Sequence, residues 1–131
     1  MVTYMLPAIM AELRYYIDTD GKQPFARWFE TLDAIAAAKI TVALARMEQG
    51  NFSNVEPVGE GVSEYKLDFG PGYRVYFGKD GEKLVILLTG GTKKRQDSDI
   101  ARAKAYWQDY KRRTKQLAKK DGEKNGKKRK L

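Results

Sequence analysis

The stretch SEYKLDFGPGYRVYF, residues 63–77, alternates apolar and polar side chains on both sides of a Gly-Pro-Gly sequence. Successive side chains of a β-strand point to opposite faces of a sheet, so this pattern predicts a β-hairpin with one apolar and one polar face. With a three-residue turn, Asp68 would lie opposite Arg74 and Lys66 opposite Tyr76. We expect helices to cover the apolar face and the polar face to stay open. The apolar face carries Tyr65, Leu67, Phe69, Tyr73, Val75 and Phe77.

Segments on either side of the hairpin complete a β-α-α-β-β-β-α order. Residues 12–18 are rich in aromatic and β-branched side chains and predict a strand. Pro24 opens a helix with an apolar stripe, and Asp33 can cap a second helix that ends at Gly50. Residues 51–61 are expected to form a loop because Asn, Pro and Gly are frequent there. The remaining predicted elements are strands over residues 62–69, 73–78 and 83–89 and a helix from Asp97 or Ser98 to about Arg113.

This order predicts an α+β fold. The last three strands would form a small antiparallel meander, and the two N-terminal helices would pack on its apolar face. The C-terminal helix has one apolar stripe of its own, which is typical of a helix that docks on a protein body. The members of this stripe are Ile100, Ala103, Trp107 and Tyr110.

The positive charge is concentrated at one end of the chain. The net charge is +8, but residues 111–131 alone hold 11 Lys or Arg against two Asp or Glu, so the remainder is nearly neutral. We therefore divide the chain into a folded domain over residues 1–113 and a basic tail over residues 114–131. The tail has too few apolar side chains to offset its ordering entropy and is expected to be disordered or a fraying helix end. It either contacts nucleic acid non-specifically or is only a solvated extension.

Two missing residue types exclude whole classes of chemistry. The chain has no cysteine and no histidine, which excludes disulfides, thiolate metal ligands and histidine-dependent nucleophiles. Any catalysis must use carboxylates, Lys, Arg, Tyr, Ser or Thr, and we expect neither a metal nor another cofactor. We find no apolar run of about 18 residues and expect no signal peptide. The prediction is a cytoplasmic protein with no membrane partner.

The polar face of the hairpin has two interpretations. In the first, Lys66 and Arg74 belong to a solvated sheet surface with weak cross-strand ion pairs. In the second, these cations form a platform that grips the phosphates of a nucleic acid while Tyr76 stacks on a base. The alternation of side chains alone does not separate the two.

A basic segment follows the last predicted strand. Lys93, Lys94 and Arg95 come directly before the N-terminus of the predicted third helix. Successive cations at this position oppose the helix dipole unless a negative charge lies nearby. They are either neutralised by Asp97 and Asp99 or accompany a bound anion.

Longer strings of the sequence resemble a known family. The strings QPFARWF, RMEQGNF, GEGVSEYKLDFGPGYRVYF and LVILLTGGTKKRQ are similar to RelE/ParE superfamily toxins, most of all to the HigB-like addiction module killer branch of type II toxin–antitoxin systems. The resemblance spans residues 15–111 without a large gap. It implies a RelE-like fold and a ribosome-dependent mRNA endonuclease that inhibits translation. It also implies a cognate antitoxin of helix-turn-helix type, with operator DNA bound only through the toxin–antitoxin complex.

The resemblance also implies roles for individual residues. Arg74 matches the strand arginine that contacts the scissile phosphate, and Lys93 falls where the family has its second cation. Lys66 would be a phosphate ligand or a base of lowered pKa, in a metal-independent attack by the RNA 2′-hydroxyl. Lys94, Arg95 and Tyr76 would bind RNA. At two positions where RelE itself has a basic residue and a tyrosine, this chain has Asp68 and Asp99.

Two other functions remain open at this point. The first is a poison of DNA gyrase without nuclease activity, as in the ParE branch of the superfamily. The second is a non-catalytic module that binds nucleic acid or an antitoxin.

Overall fold

The computed structural model describes residues 10–129, which form a five-stranded sheet with helices on both faces. The strand order is β1-β5-β4-β3-β2, with β1 parallel to β5 and all other pairs antiparallel. This arrangement confirms the predicted α+β class. The elements are β1 Glu12–Tyr15, α1 Pro24–Glu30, α2 Ala34–Glu48, β2 Val55–Gly59, β3 Val62–Leu67, β4 Tyr73–Asp80, β5 Leu84–Thr92, a 3₁₀ turn Lys93–Arg95 and α3 Gln96–Arg129.

The expectation that residues 51–61 form only a loop is wrong, since they contain β2. This strand pairs with β3 and lies at the edge of the sheet, where a proline costs no ladder hydrogen bond on the outer side. Pro57 is in β2, and the register shifts between Pro57 and Gly59. The Pro and Gly content that favoured a loop is therefore accommodated by an irregular edge strand.

The apolar face of the hairpin packs against α1 and α2, as predicted. The side chain of Asp33 caps α2 by accepting a hydrogen bond from the Ala36 N–H group at 2.8 Å. Gly50 follows the end of this helix with φ of 80°, a left-handed conformation that glycine adopts at little cost. The buried residues of this core are Phe25, Ile40, Ala43, Met47, Tyr65, Val75, Phe77, Val85 and Leu87.

The opposite face of the sheet is not fully open, because α3 lies across part of it. Trp107 and Ala103 are buried there. Trp107 approaches the backbone of β4 so closely that a Cβ atom on Gly78 would lie 2.5 Å from its ring. The expectation of an open polar face is wrong near α3, because the apolar stripe of this helix finds a matching surface on the sheet. The sheet contributes Val62, Tyr76, Ile86 and Leu88.

Helix α3 begins and ends at other residues than expected. It starts at Gln96, directly after the 3₁₀ turn, and it continues beyond Arg113 to Arg129. Lys, Gln, Leu and Ala are good helix formers, and the sequence has no glycine or proline between Arg113 and Gly122. The division of the chain after residue 113 stays a prediction. Residues 1–9, where the absence of a signal peptide was predicted, lie outside the described residues.

Within the part of the chain that the structure describes, no helix is both long and apolar enough to cross a bilayer.

A hydrogen-bond network connects α3 to the segment directly after β1. Asp109 accepts hydrogen bonds from the Tyr16 hydroxyl at 2.6 Å, from Arg112 at 2.9 Å and from Arg113 at 3.0 Å. Arg113 also donates to the carbonyl oxygen of Ile17. These donors, the Tyr16 hydroxyl first, hold the pKa of Asp109 below its ordinary value.

We expect Asp109→Asn to lower the free energy of unfolding at pH 7 by about 1–3 kcal/mol, because charge-assisted hydrogen bonds are lost. A carboxyl whose pKa is lowered by folding stabilises the protein above its unfolded pKa of about 4 and loses this contribution as the pH falls further. The difference between variant and parent should therefore shrink below about pH 4. Urea unfolding from pH 7 to pH 3 measures it, with Asp20→Asn as a surface control. A difference that is the same at both ends of the range would contradict this role for Asp109.

Candidate nucleic-acid interface

The hairpin of β3 and β4 sets the geometry of the candidate site, and its register differs from the prediction. Lys66, not Asp68, lies opposite Arg74, because the turn between the strands spans five residues instead of three. Asp68 is exposed within this turn, where Gly70 and Gly72 adopt φ of 53° and 76°. The register differs by two residues, so every strand side chain keeps its predicted face.

Two rows of residues cross the sheet on the face that α3 partly covers. The first row is formed by the register partners Lys66, Arg74 and Gly91 on β3, β4 and β5. The neighbouring row consists of Glu64, Tyr76 and Thr89. A row with two cations therefore lies beside a row that begins with a carboxylate.

Glu64 is the central anion of the site. Its side chain is only 3% exposed, and both of its oxygens accept from the Gln96 side-chain amide, at 3.1 and 3.2 Å. The Arg74 Nε lies 3.7 Å from one oxygen and the Lys66 Nζ 3.8 Å from the other. Because a buried charge is costly unless it is paired, these three neighbours explain how a glutamate can lie under α3.

Lys66 is held in a second, more exposed ion pair. Its Nζ lies 2.8 Å from the Glu56 Oε2 on the edge strand β2. This hydrogen bond raises the pKa of Lys66 above its ordinary value. A lysine that acts as a base at neutral pH needs a lowered pKa, so this ion pair does not favour the alternative role of Lys66 as a base. Its charge suits a phosphate ligand.

Arg74 and Lys93 meet at the carbonyl of Gly72. The Arg74 Nη1 donates to this oxygen at 2.7 Å, and the Lys93 backbone N–H donates to it at 2.9 Å. The hydrogen bond from Lys93 ties the end of β5 to the β3–β4 turn. The structure thus brings together Lys66, Arg74 and Lys93 at one end of the sheet, with Lys66 on the β3 side of Arg74 and Lys93 on the β5 side.

The other predicted RNA-binding residues have different surroundings. Lys94 and Arg95 are exposed on the 3₁₀ turn. Tyr76 is fully buried, and its hydroxyl has no hydrogen-bond partner among the described residues. Burial, followed by the nearby charge of Glu64, raises the pKa of Tyr76. The prediction that Tyr76 stacks on a base is wrong for this structure, because α3 and the sheet enclose its ring.

Asp99 lies over Gly91, where any side chain would collide with its carboxylate. The residue is buried, its Oδ2 has no hydrogen-bond partner among the described residues, and burial raises its pKa. Gly91, the register partner of Arg74, must therefore be a glycine for α3 to dock on the sheet. In the described residues no group of three or more carboxylates is arranged to hold a metal ion.

The sequence did not identify Glu64 as the anion beside Lys66 and Arg74, or Gln96 as the donor to Glu64. Glu64 could have been found, because it alternates with Lys66 on the same strand face. No local signal marks Gln96, which reaches Glu64 only through the packing of α3. The cations Lys66, Arg74 and Lys93 give this end of the sheet a positive charge, which Glu56 and Glu64 partly neutralise. Such a site can bind a phosphate when the exposed Lys66 exchanges Glu56 for a phosphate oxygen.

Comparisons with known proteins give two matches. A family model with the description "Phage derived protein Gp49-like (DUF891)" matches residues 27–120, which include every site residue discussed above. A protein of Haemophilus influenzae (strain Rd) that carries the name "Uncharacterized protein" is 43% identical over 81 residues. The matched segment covers 61% of this chain and 82% of that protein.

Proposed function

The chain belongs to the Gp49-like family of phage-derived proteins, a RelE-like family associated with toxin–antitoxin systems, and on this premise we propose that it is a type II toxin that cleaves mRNA on the ribosome. A cognate antitoxin of helix-turn-helix type neutralises it, and the complex of the two binds operator DNA. The observation that carries the proposal is the convergence of Lys66, Arg74 and Lys93 at one end of the sheet. Three cations within one small surface suit the charge-rich transition state of phosphodiester cleavage.

The reaction is attack of the RNA 2′-hydroxyl on the adjacent phosphorus. A bond forms between O2′ and phosphorus, and the bond from phosphorus to O5′ breaks. The products are a 2′,3′-cyclic phosphate and a 5′-hydroxyl. Arg74, at the centre of the group, stabilises the negative charge on the phosphoryl oxygens, and Lys66 binds the same phosphate.

The two proton transfers are assigned from the exposure of the nearby carboxylates and from the position of each group relative to Arg74. Glu56 is 64% exposed whereas Glu64 is buried, so Glu56 is the carboxylate that a 2′-hydroxyl can reach and the one that accepts its proton. Lys93 lies on the other side of Arg74 and protonates the departing O5′. An acceptor on the β3 side of Arg74 and a donor on its β5 side suit an in-line displacement, in which the attacking and leaving oxygens lie on opposite sides of the phosphorus.

A second function is favoured by one observation. The Arg74 side chain is only 10% exposed and lies beside Glu64, so the central cation is less available than in an open phosphate site. This arrangement suits a toxin that inhibits a protein target, such as DNA gyrase, without cutting RNA. Both functions require an antitoxin and cause growth arrest.

We expect induction of the full chain in cells to produce cleaved mRNA on ribosomes, with breaks at defined codon positions. Primer extension on ribosome-bound mRNA measures the breaks, and co-expression of the neighbouring antitoxin gene should suppress them. Intact mRNA together with accumulated double-strand DNA breaks would instead identify a gyrase poison. The empty vector and the induced antitoxin alone are the controls.

A further inference from the structure

An open cleft lies next to the candidate site, on the far side of β5. Its volume is about 610 Å³, within the range of small-molecule sites in proteins. It lies between α1 and α3, and the loop after β1 closes one end. Its lining includes Lys22, Arg27, Trp28, Arg95, Asp99 and Arg102.

The floor of this cleft is the free edge of β5. β1 pairs with β5 only from Leu84 to Leu87, whereas β4 pairs with β5 as far as Thr92. Residues 89–92 of β5 therefore have a strand neighbour on one side and the cleft on the other. Gly91, which lines the cleft, is the register partner of Arg74. The cleft thus continues the cationic row of the sheet beyond its last strand.

The charge of the cleft is predominantly positive. Among the side chains described, residues 10–122, no carboxylate lies within ion-pair distance of Lys22, Arg27 or Arg95. Arg102 has only a 3.5 Å contact with the buried carboxylate of Asp99. The second carboxylate, Asp18, already accepts hydrogen bonds from two backbone N–H groups of its own turn. Four cations against two carboxylates leave the cleft with a net positive charge, which suits a negatively charged ligand.

An aromatic ring forms one wall of the cleft. Trp28 packs on Gly90 so closely that a side chain at that position would overlap the indole. The ring is only partly buried, which leaves part of it toward the cleft. A flat apolar ring beside guanidinium groups is the combination that binds an unpaired base together with its phosphate. The volume suits one nucleotide and is too small for a duplex.

We propose that this cleft is an RNA subsite that binds the nucleotide next to the cleaved phosphate, with Arg27 and Arg102 on its phosphate and Trp28 against its base. The proposal rests on the proposed function, since it assumes that single-stranded RNA reaches Arg74. An RNA strand bound at Lys66, Arg74 and Lys93 reaches Arg95 next and enters the cleft there. The positions of Arg27 and Trp28 on α1 give this helix a role beyond the core.

The test is binding of an eight-nucleotide single-stranded RNA in which every 2′-hydroxyl is methylated. Methylation prevents attack by O2′, so binding is measured whether or not the protein is a nuclease. We expect Arg27→Gln with Arg102→Gln to raise the Kd at least about tenfold and to reduce the salt dependence by about 0.7 per cation removed. The matched control is Arg14→Gln with Lys83→Gln, which removes the same charge from exposed positions away from the cleft. Fluorescence anisotropy measures the Kd.

The intrinsic fluorescence supplies a second measurement. Of the two tryptophans in the chain, only Trp28 lines the cleft. RNA should quench the fluorescence of the full chain, and Trp28→Phe should remove the quenching. Equal effects of both double substitutions on Kd, or quenching that persists in Trp28→Phe, would overturn the proposal. A hexaglutamate peptide that binds as tightly and quenches Trp28 equally would also overturn it, in favour of an acidic protein partner.

The experiments test the RNA subsite and the nuclease activity independently of each other. If mRNA stays intact in cells but the cleft substitutions weaken binding of methylated RNA, the subsite stands and cleavage does not. If mRNA is cleaved while the cleft substitutions bind RNA like the control, cleavage stands and the subsite is wrong.

Discussion

We expect Arg74→Ala to abolish growth inhibition and to slow RNA cleavage by at least about a hundredfold. Arg74 lies between Lys66 and Lys93. In the proposed nuclease mechanism it is the donor that faces the phosphoryl oxygens as negative charge develops on them. Removal of one well-placed donor to such a charge typically costs two to three orders of magnitude in rate. Cleavage of a labelled mRNA in a reconstituted translation reaction measures the effect directly, and colony counts after induction measure toxicity.

The substitution also removes a cation beside the buried Glu64, so folding needs its own check. Arg74→Lys keeps the charge near Glu64 and should fold normally, but it loses the planar fork that binds two oxygens at once. We expect this variant to bind the antitoxin like the parent and to cleave RNA more slowly. Arg14→Ala, a surface arginine on β1, is the matched control and should remain fully toxic. A fully toxic Arg74→Ala protein would refute the role of Arg74.

We expect Trp107→Ala to lower the free energy of unfolding by about 3–5 kcal/mol, the usual cost of truncating a buried tryptophan. Trp107 is 5% exposed and stacks on Tyr110 with 5.2 Å between ring centroids. Its ring also occupies the space above two glycines, so that a Cβ atom on Gly61 or Gly78 would lie 2.6 or 2.5 Å from it. Such a loss should lower the melting temperature by roughly 10–20 °C.

The substitution Trp107→Ala should disturb the candidate site as well as the core. Trp107 anchors α3, and the first turns of α3 hold Gln96 on Glu64 and Asp99 over Gly91. Leu117→Ala is the control, since Leu117 is 63% exposed on the same helix and its truncation should change stability by less than about 0.5 kcal/mol. Thermal unfolding followed by circular dichroism compares the variants. A Trp107→Ala protein within about 1 kcal/mol of the parent would show that α3 contributes little to the fold.

Much of the sheet was predictable because alternation is a local property. Tyr65, Val75 and Phe77 were assigned to the buried face, and they are buried there. The register was not predictable, since it depends on how many residues the turn uses. A change of two residues exchanged Asp68 for Lys66 as the partner of Arg74 without moving any side chain to the other face. β2 was missed because Pro57 and Gly59 are signals of a loop and also features of an edge strand.

The amino-acid sequence by itself determined the α+β class, the two faces of the hairpin, the stripe of α3 and the set of cations available for chemistry. These follow from composition and from periodicities that operate within a few residues. Only the tertiary structure decided which charges are paired and which are accessible. It enclosed Tyr76, placed Glu64 between two cations and opened a cleft beyond β5. Exposure, pairing and pKa depend on contacts between distant segments, here between α3 and the sheet, and no local pattern encodes them.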